Sequence, residues 1–197
     1  MSEEALKQVL TIGEAKNLYA KFGLSLYSDD VDLAELVRHS DWSTGLTNSN
    51  YLHALALTDV MFRETKTSLA MLTGPECEYF LECLSKTFEA ALERVKAASG
   101  AARLIMIGDN DASRRDRLRG KYGNQLQVAF GMPSQPNILA DHYLICDARM
   151  VRHEEPHDKI LDTDDAGKIK ARVFFNSPIM AKVLGARFDS LWNLLSS

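Results

Sequence analysis

The sequence is poor in the residues that mark disulfides, cofactors and membranes. Only three cysteines occur in 197 residues, Cys77, Cys83 and Cys146, and no two stand at metal-ligand spacing. Their odd number and wide spacing argue against a disulfide framework, and buried free thiols of a reducing compartment are expected instead. No apolar run approaches the roughly 18–20 residues that span a bilayer. The acidic start, MSEEALKQVL, lacks the basic and apolar parts of a secretory signal. A soluble cytoplasmic protein without membrane insertion is expected. Positive charge is also scarce, with 23 Lys+Arg against 27 Asp+Glu and a net charge of −4. That argues against a general polyanion binder and leaves room for a local basic patch. Gly-x-Gly-x-x-Gly, Walker and Gly-x-Ser-x-Gly sequences are missing, and no cofactor is expected. There is no low-complexity stretch, fixed-period repeat or long Pro/Gly/Ser linker.

What is present is an ordinary globular mixture, 46% apolar and 25% charged. Residues 1–49 form a helical and extended sub-region by pattern, with a helix along Leu6 to Tyr19, an extended GLSLYSDD, a short helix capped by Asp30 or Asp32, and a polar loop from Ser40 to Ser49. Residues 50–197 read as one α/β domain, and the two regions are expected to form one unit. Helical spacing covers about Asn50 to Glu64, followed by a strand at Ser68–Leu72. A long helix should start near Pro75 and end at Gly100, with Phe80, Leu81, Leu84, Phe88, Leu92 and Val95 on its core face. Arg103–Ile107 is a near-continuous apolar strand, as expected where both sheet faces are covered. A basic helix at Ala112–Lys121 and a strand at Gln125–Phe130 complete a parallel strand–helix–strand unit. HYLICDARMVRHEE reads as a hairpin turning at Asp147-Ala148-Arg149. Asp158 to Lys168 is an acidic surface loop, Ala171–Phe175 is a strand, and a last helix opens at Pro178 with Ser177 as its cap. The fold class is mixed α/β, a mostly central sheet flanked by helices.

Four of these pieces in this order resemble the phospholipase D-like superfamily: SLAMLTG before a long helix, ARLIMIG entering the parallel unit, the hairpin HYLICDARMVR, and a final helix closing on ARFDSLW. The resemblance spans about Tyr51 to Trp192 and implies one half of a phospholipase D-type enzyme. That family carries His-x-Lys-x4-Asp, in which the histidine attacks phosphorus, the lysine binds phosphate oxygen and the aspartate orients. With Asp147 at the aspartate position, Ala140 falls on the histidine and His142 on the lysine. With His142 as nucleophile, Leu144 falls on the lysine and Arg149 on the aspartate. Neither register restores the motif, so the resemblance implies a fold without the family's covalent chemistry. One-motif members complete their cleft as pairs, which implies a homodimer.

Several constellations are candidates for a remaining site. The arginine-rich ASRRDRLRGKYG sets Arg114, Arg115, Arg117, Arg119 and Lys121 against Asp116, and its guanidinium groups suit phosphate, although a solvated helix face paired with acids is the plainer alternative. His142, His153 and His157 with Glu154 and Glu155 form the densest titratable cluster, and Arg152 shares a strand face with Glu154. Pro156 between His153 and His157 removes helical metal spacing, and no metal site is expected. Gly108-Asp109-Asn110 and Asn176-Ser177 are candidate lips of an anion cleft. The ligand-binding candidates are therefore Arg114, Arg115, Arg152, Glu154 and Asn176, with His142, Asp147 and His157 as catalytic candidates only in an enzyme.

Three functions compete. The first is a non-catalytic binding or regulatory module for a phosphorylated small molecule, nucleic acid or protein partner. The second is a divergent phosphodiesterase or nuclease using His142 or His157. The third is a protein-interaction subunit, which the resemblance associates with bacterial defence or stress systems, docking through residues 1–49.

Overall fold

In the computed structural model these apolar runs and helical stripes assemble into a mixed sheet with helices on both faces. The structure describes residues 46–48, 51–74, 77–108, 111–131, 141–155 and 171–196. The elements are β1 (Leu46–Asn48), α1 (Tyr51–Glu64), β2 (Ser68–Thr73), α2 (Cys77–Cys83), α3 (Ser85–Ala97), β3 (Ala101–Ile107), α4 (Ala112–Tyr122), a 3₁₀ turn (Gly123–Gln125), β4 (Gln127–Gly131), β5 (His142–Cys146), β6 (Met150–Glu154), β7 (Ala171–Phe174) and α5 (Pro178–Leu195). Among the described residues the sheet has seven strands in the order β1-β7-β6-β5-β2-β3-β4. The neighbours β2, β3 and β4 are parallel, and the remaining pairings are antiparallel. The expected mixed α/β class is what forms.

Strand alternation divides the core in two. Leu69, Met71, Leu104, Met106, Leu144 and Cys146 meet the apolar stripes of α1 to α4 on one face. Leu72, Ile105, Tyr143, Ile145 and Val151 meet Ala181, Leu184 and Phe188 of α5 on the other. Leu104 and Ile105 are thus buried on opposite faces, which explains the unbroken apolar run of β3. On the first face Phe88 joins two helices, with Phe62 at 5.0 Å and Tyr122 edge-on at 5.3 Å. Arg94 ties α3 to the end of α1, donating from Nε to the Thr65 carbonyl at 2.8 Å and from Nη2 to that of Phe62. These are carbonyls that a helix end leaves open. Gly100 allows a close approach, because a Cβ there would lie 1.8 Å from the Thr67 carbonyl oxygen.

The structure corrects some local expectations. Leu46–Asn48 lies in the expected Ser40–Ser49 loop but pairs antiparallel with β7, Leu46 against Val173 and Asn48 against Ala171. So short a strand has little alternation of its own and is defined by its partner. The expected long helix is two, interrupted at Leu84 (φ −107°, ψ 18°), which is fully buried and whose carbonyl accepts from Phe88 N at 2.9 Å. The strand expected from Gln125 begins at Gln127, after the 3₁₀ turn. Ser177 precedes α5 as expected but makes no side-chain cap bond; its N–H donates to the Arg149 carbonyl at 2.7 Å. The segments expected in residues 1–45 and 158–168 lie outside the described residues.

Candidate functional site

The topology brings chemically interesting residues to one end of the sheet. Parallel β2, β3 and β4 end at Thr73, Ile107 and Gly131, and their carboxyl ends lie together. Because β5 runs against β2, it begins at that end with His142, and β6 finishes there with Glu154. In an open α/β sheet this is the edge where ligands bind. His142 lies directly across from Glu154, and Leu144 across from Arg152, so His142, Arg152 and Glu154 share the face covered by α1 to α4.

Arg152 and Glu154 form a buried ion pair. Arg152 Nη1 donates to Glu154 Oε2 at 2.5 Å, with side chains only 10% and 7% exposed. Phe80 of α2 lies over the guanidinium, 5.9 Å from ring centroid to Cζ. Arg152 Nε is buried with no hydrogen-bond partner among the described residues. Burying two charges is costly unless their remaining groups are satisfied, so an open donor in such a pair stands out energetically.

Two arginines of the basic helix are engaged with one acid. Glu78 of α2 accepts from Arg114 Nε at 3.0 Å and side-on from Arg117, through Nε at 3.0 Å and Nη2 at 3.1 Å. The Arg117 hydrogen bond leads the effects that lower the pKa of the Glu78 carboxyl below its ordinary value. Arg115 turns to the Phe130 ring at 4.7 Å. Arg114 and Arg115 therefore point to different partners and do not clamp one point. Arg119 and Lys121 are exposed. Between α2 and α4 lies a cavity of about 270 Å³ lined by Glu78, Glu82, Arg117, Leu118, Lys121 and Tyr122.

The opposite face carries a second polar group at the same end. Asp141 Oδ2 accepts from Arg187 Nη1 at 3.1 Å, and His153 Nε2 lies 3.5 Å away. The Tyr143 hydroxyl is buried without a partner among the described residues, and burial pushes its pKa up to about 12. The linear pattern gives little warning of this group, because adjacent Asp141 and His142 are separated by strand alternation. Phe80 and Glu78 were equally hidden among core and surface positions of a long helix.

The remaining candidates lie elsewhere. Asp147 is at the far end of β5, about 16 Å from His142 at the usual rise of a strand. Its carboxylate accepts from the backbone N–H groups of Lys66, Thr67 and Ser68. Asn176 follows β7, which is antiparallel to β6 and therefore ends at the same distant edge. Gly108 and Asn176 are thus at opposite ends of the sheet and cannot be lips of one cleft. Asp109, Asn110, Ala140 and His157 lie outside the described residues.

The arrangement offers a cation and an imidazole to an anion. It offers no activated thiol, since Cys77, Cys83 and Cys146 are buried and burial pushes the Cys146 pKa up to about 12. Among the described residues no cluster of three or more His, Cys, Asp or Glu is arranged to hold a metal ion. No described helix is long and apolar enough to cross a membrane.

The sequence matches no protein-family model and no curated protein. Solved structures do match. The archaeal chromatin protein TrmBL2, described as showing a novel mode of DNA binding, superposes with a TM-score of 0.55 at 12% identity, covering 90% of this chain and 62% of that chain. This chain therefore spans about 62% of that protein's chain. Nuc from Salmonella typhimurium, a phospholipase D family member, superposes with a TM-score of 0.50 at 18% identity, covering 76% of this chain and 94% of Nuc. At such identities the likeness is one of architecture: the chain carries a phospholipase D-like α/β fold.

Proposed function

We propose that this chain is a phospholipase D-like binding module that holds a phosphorylated ligand at the His142 end of the sheet and does not turn it over. The observation that carries this reading is the buried cation Arg152, beside His142 at the carboxyl ends of the parallel strands and open at Nε among the described residues. Guanidinium is the side chain best matched to a phosphate. Loss of turnover rests on the sequence. In the register through Asp147, alanine stands at position 140, where the family has its nucleophile, and His142 stands for its lysine. Asp147, spent on three backbone N–H groups, is a structural clamp in this reading. The described DNA binding of the chromatin protein and the family of Nuc agree with a phosphate-bearing ligand.

The test is hydrolysis of a chromogenic diester, a single-stranded DNA and a phospholipid by the full chain and by His142→Ala. The proposal expects no turnover above the blank in either protein. Turnover in the parent that disappears in His142→Ala would replace the binding module with a divergent phosphodiesterase.

A further inference from the structure

The chain displays two arginine–carboxylate geometries, and their difference identifies a receiving atom. Arg117 meets Glu78 side-on, with Nε and Nη2 each donating to a carboxylate oxygen. That edge matches the paired oxygens of an oxyanion. Arg152 instead meets Glu154 through Nη1, and its Nε, half of the side-on edge, is left without a partner among the described residues. The residue is only 8% exposed, so bulk water does not readily serve that donor. Glu154 holds the guanidinium from one side, the Phe80 ring centroid lies 5.9 Å from its Cζ, and the side-on edge remains to be filled.

Resting on the proposed phosphate-binding reading, we infer that the Arg152 Nε–Nη2 edge receives the ligand's anion and that Glu154 restricts the site to singly charged oxyanions. The pair is nearly buried and already neutral in sum. Charges interact far more strongly in such surroundings than in water. A single negative charge gains two directed hydrogen bonds from Arg152 against repulsion from one carboxylate. Doubling the ligand's charge doubles both the attraction to Arg152 and the repulsion from Glu154, while its desolvation cost rises about as the square of the charge, which a pair neutral in sum does not offset. The class admitted is a monoanion with two oxygens on one side: a diester phosphate, a sulfate ester or a carboxylate. Glu154 thus acts as orienting contact and as charge filter.

The experiment titrates the full chain with dimethyl phosphate and with methyl phosphate at about pH 8, where the first is singly charged and the second mostly doubly charged. The expected result is at least tenfold tighter binding of dimethyl phosphate. Glu154→Gln keeps an oxygen acceptor for Nη1 and removes the charge, so methyl phosphate should gain about tenfold more than dimethyl phosphate. Arg152→Lys keeps the charge and loses the side-on edge, and both probes should weaken at least tenfold. If that variant fails to fold, Arg152→Met with Glu154→Leu replaces the pair by apolar side chains and should bind neither probe. Equal affinities for the two probes, unchanged by Glu154→Gln, overturn the charge filter. Binding that survives loss of Arg152 overturns the receiving atom while leaving phosphate binding in place. Failure of both probes to bind the parent chain overturns the binding module itself.

Discussion

Asp147 Oδ1 accepts a hydrogen bond from the backbone N–H of Thr67 at 2.7 Å, joining the tip of the β5–β6 hairpin to the segment that enters β2. The same carboxylate accepts from Lys66 N at 2.9 Å, Ser68 N at 3.1 Å and Thr67 Oγ1 at 3.0 Å. A side chain used this way connects residues about 80 apart in the chain. Asp147→Ala should lower the unfolding free energy by about 2 kcal/mol, as expected for several hydrogen bonds to a charged acceptor. Ligand affinity should stay within about twofold, because the site is at the other end of β5. Denaturant unfolding and a binding titration check both parts.

The turn itself contains an avoidable strain. Asp147 and Ala148 have φ of 53° and 52°. They are the central residues of the β-turn that Arg149 N closes onto the Cys146 carbonyl at 3.1 Å, inside the three-residue loop between paired Cys146 and Met150. Asp tolerates this left-handed region, whereas alanine pays for its Cβ. Ala148→Gly should therefore stabilise the protein by about 1 kcal/mol, read as a higher denaturation midpoint with an unchanged slope. A destabilised variant would show that Ala148 is held by contacts worth more than its strain.

Glu78 links α2 to α4 through Arg114 and Arg117. Its folded pKa is lowered from an ordinary value of 4.5, first by the Arg117 hydrogen bond. A lowered carboxyl pKa adds stability that is present above the unfolded value and is lost as pH falls through the folded value. Glu78→Gln should cost about 1 kcal/mol near neutral pH. The difference from the parent should shrink once pH drops below 4.5 and vanish in stronger acid. Unfolding curves for both proteins across that range provide the check, and a difference constant with pH would contradict the ionic account.

Much of the architecture was legible because its signals are local. The unbroken apolar run at Leu104 to Ile107 and the 3–4 spacing from Phe88 to Val95 each follow from burial on a known period. The short β1 was not legible, because its pairing with β7 is decided more than a hundred residues away. Nor was the break at Leu84, whose neighbours keep helical spacing on either side. The site was half legible. Alternation put Arg152 and Glu154 on one face, but only the sheet order shows that His142 joins them and Asn176 does not. Glu78 escaped notice because a single acid on a helix surface carries no sign of two arginines approaching from another helix.

The most direct test of the anion site is a binding titration of dimethyl phosphate into the full chain and into the double variant Arg152→Met, Glu154→Leu. Replacing a buried ion pair by apolar side chains of similar size is often neutral for stability, so the variant should melt close to the parent. The account predicts saturable binding by the parent and none by the folded variant. Equal binding by the two proteins would contradict it.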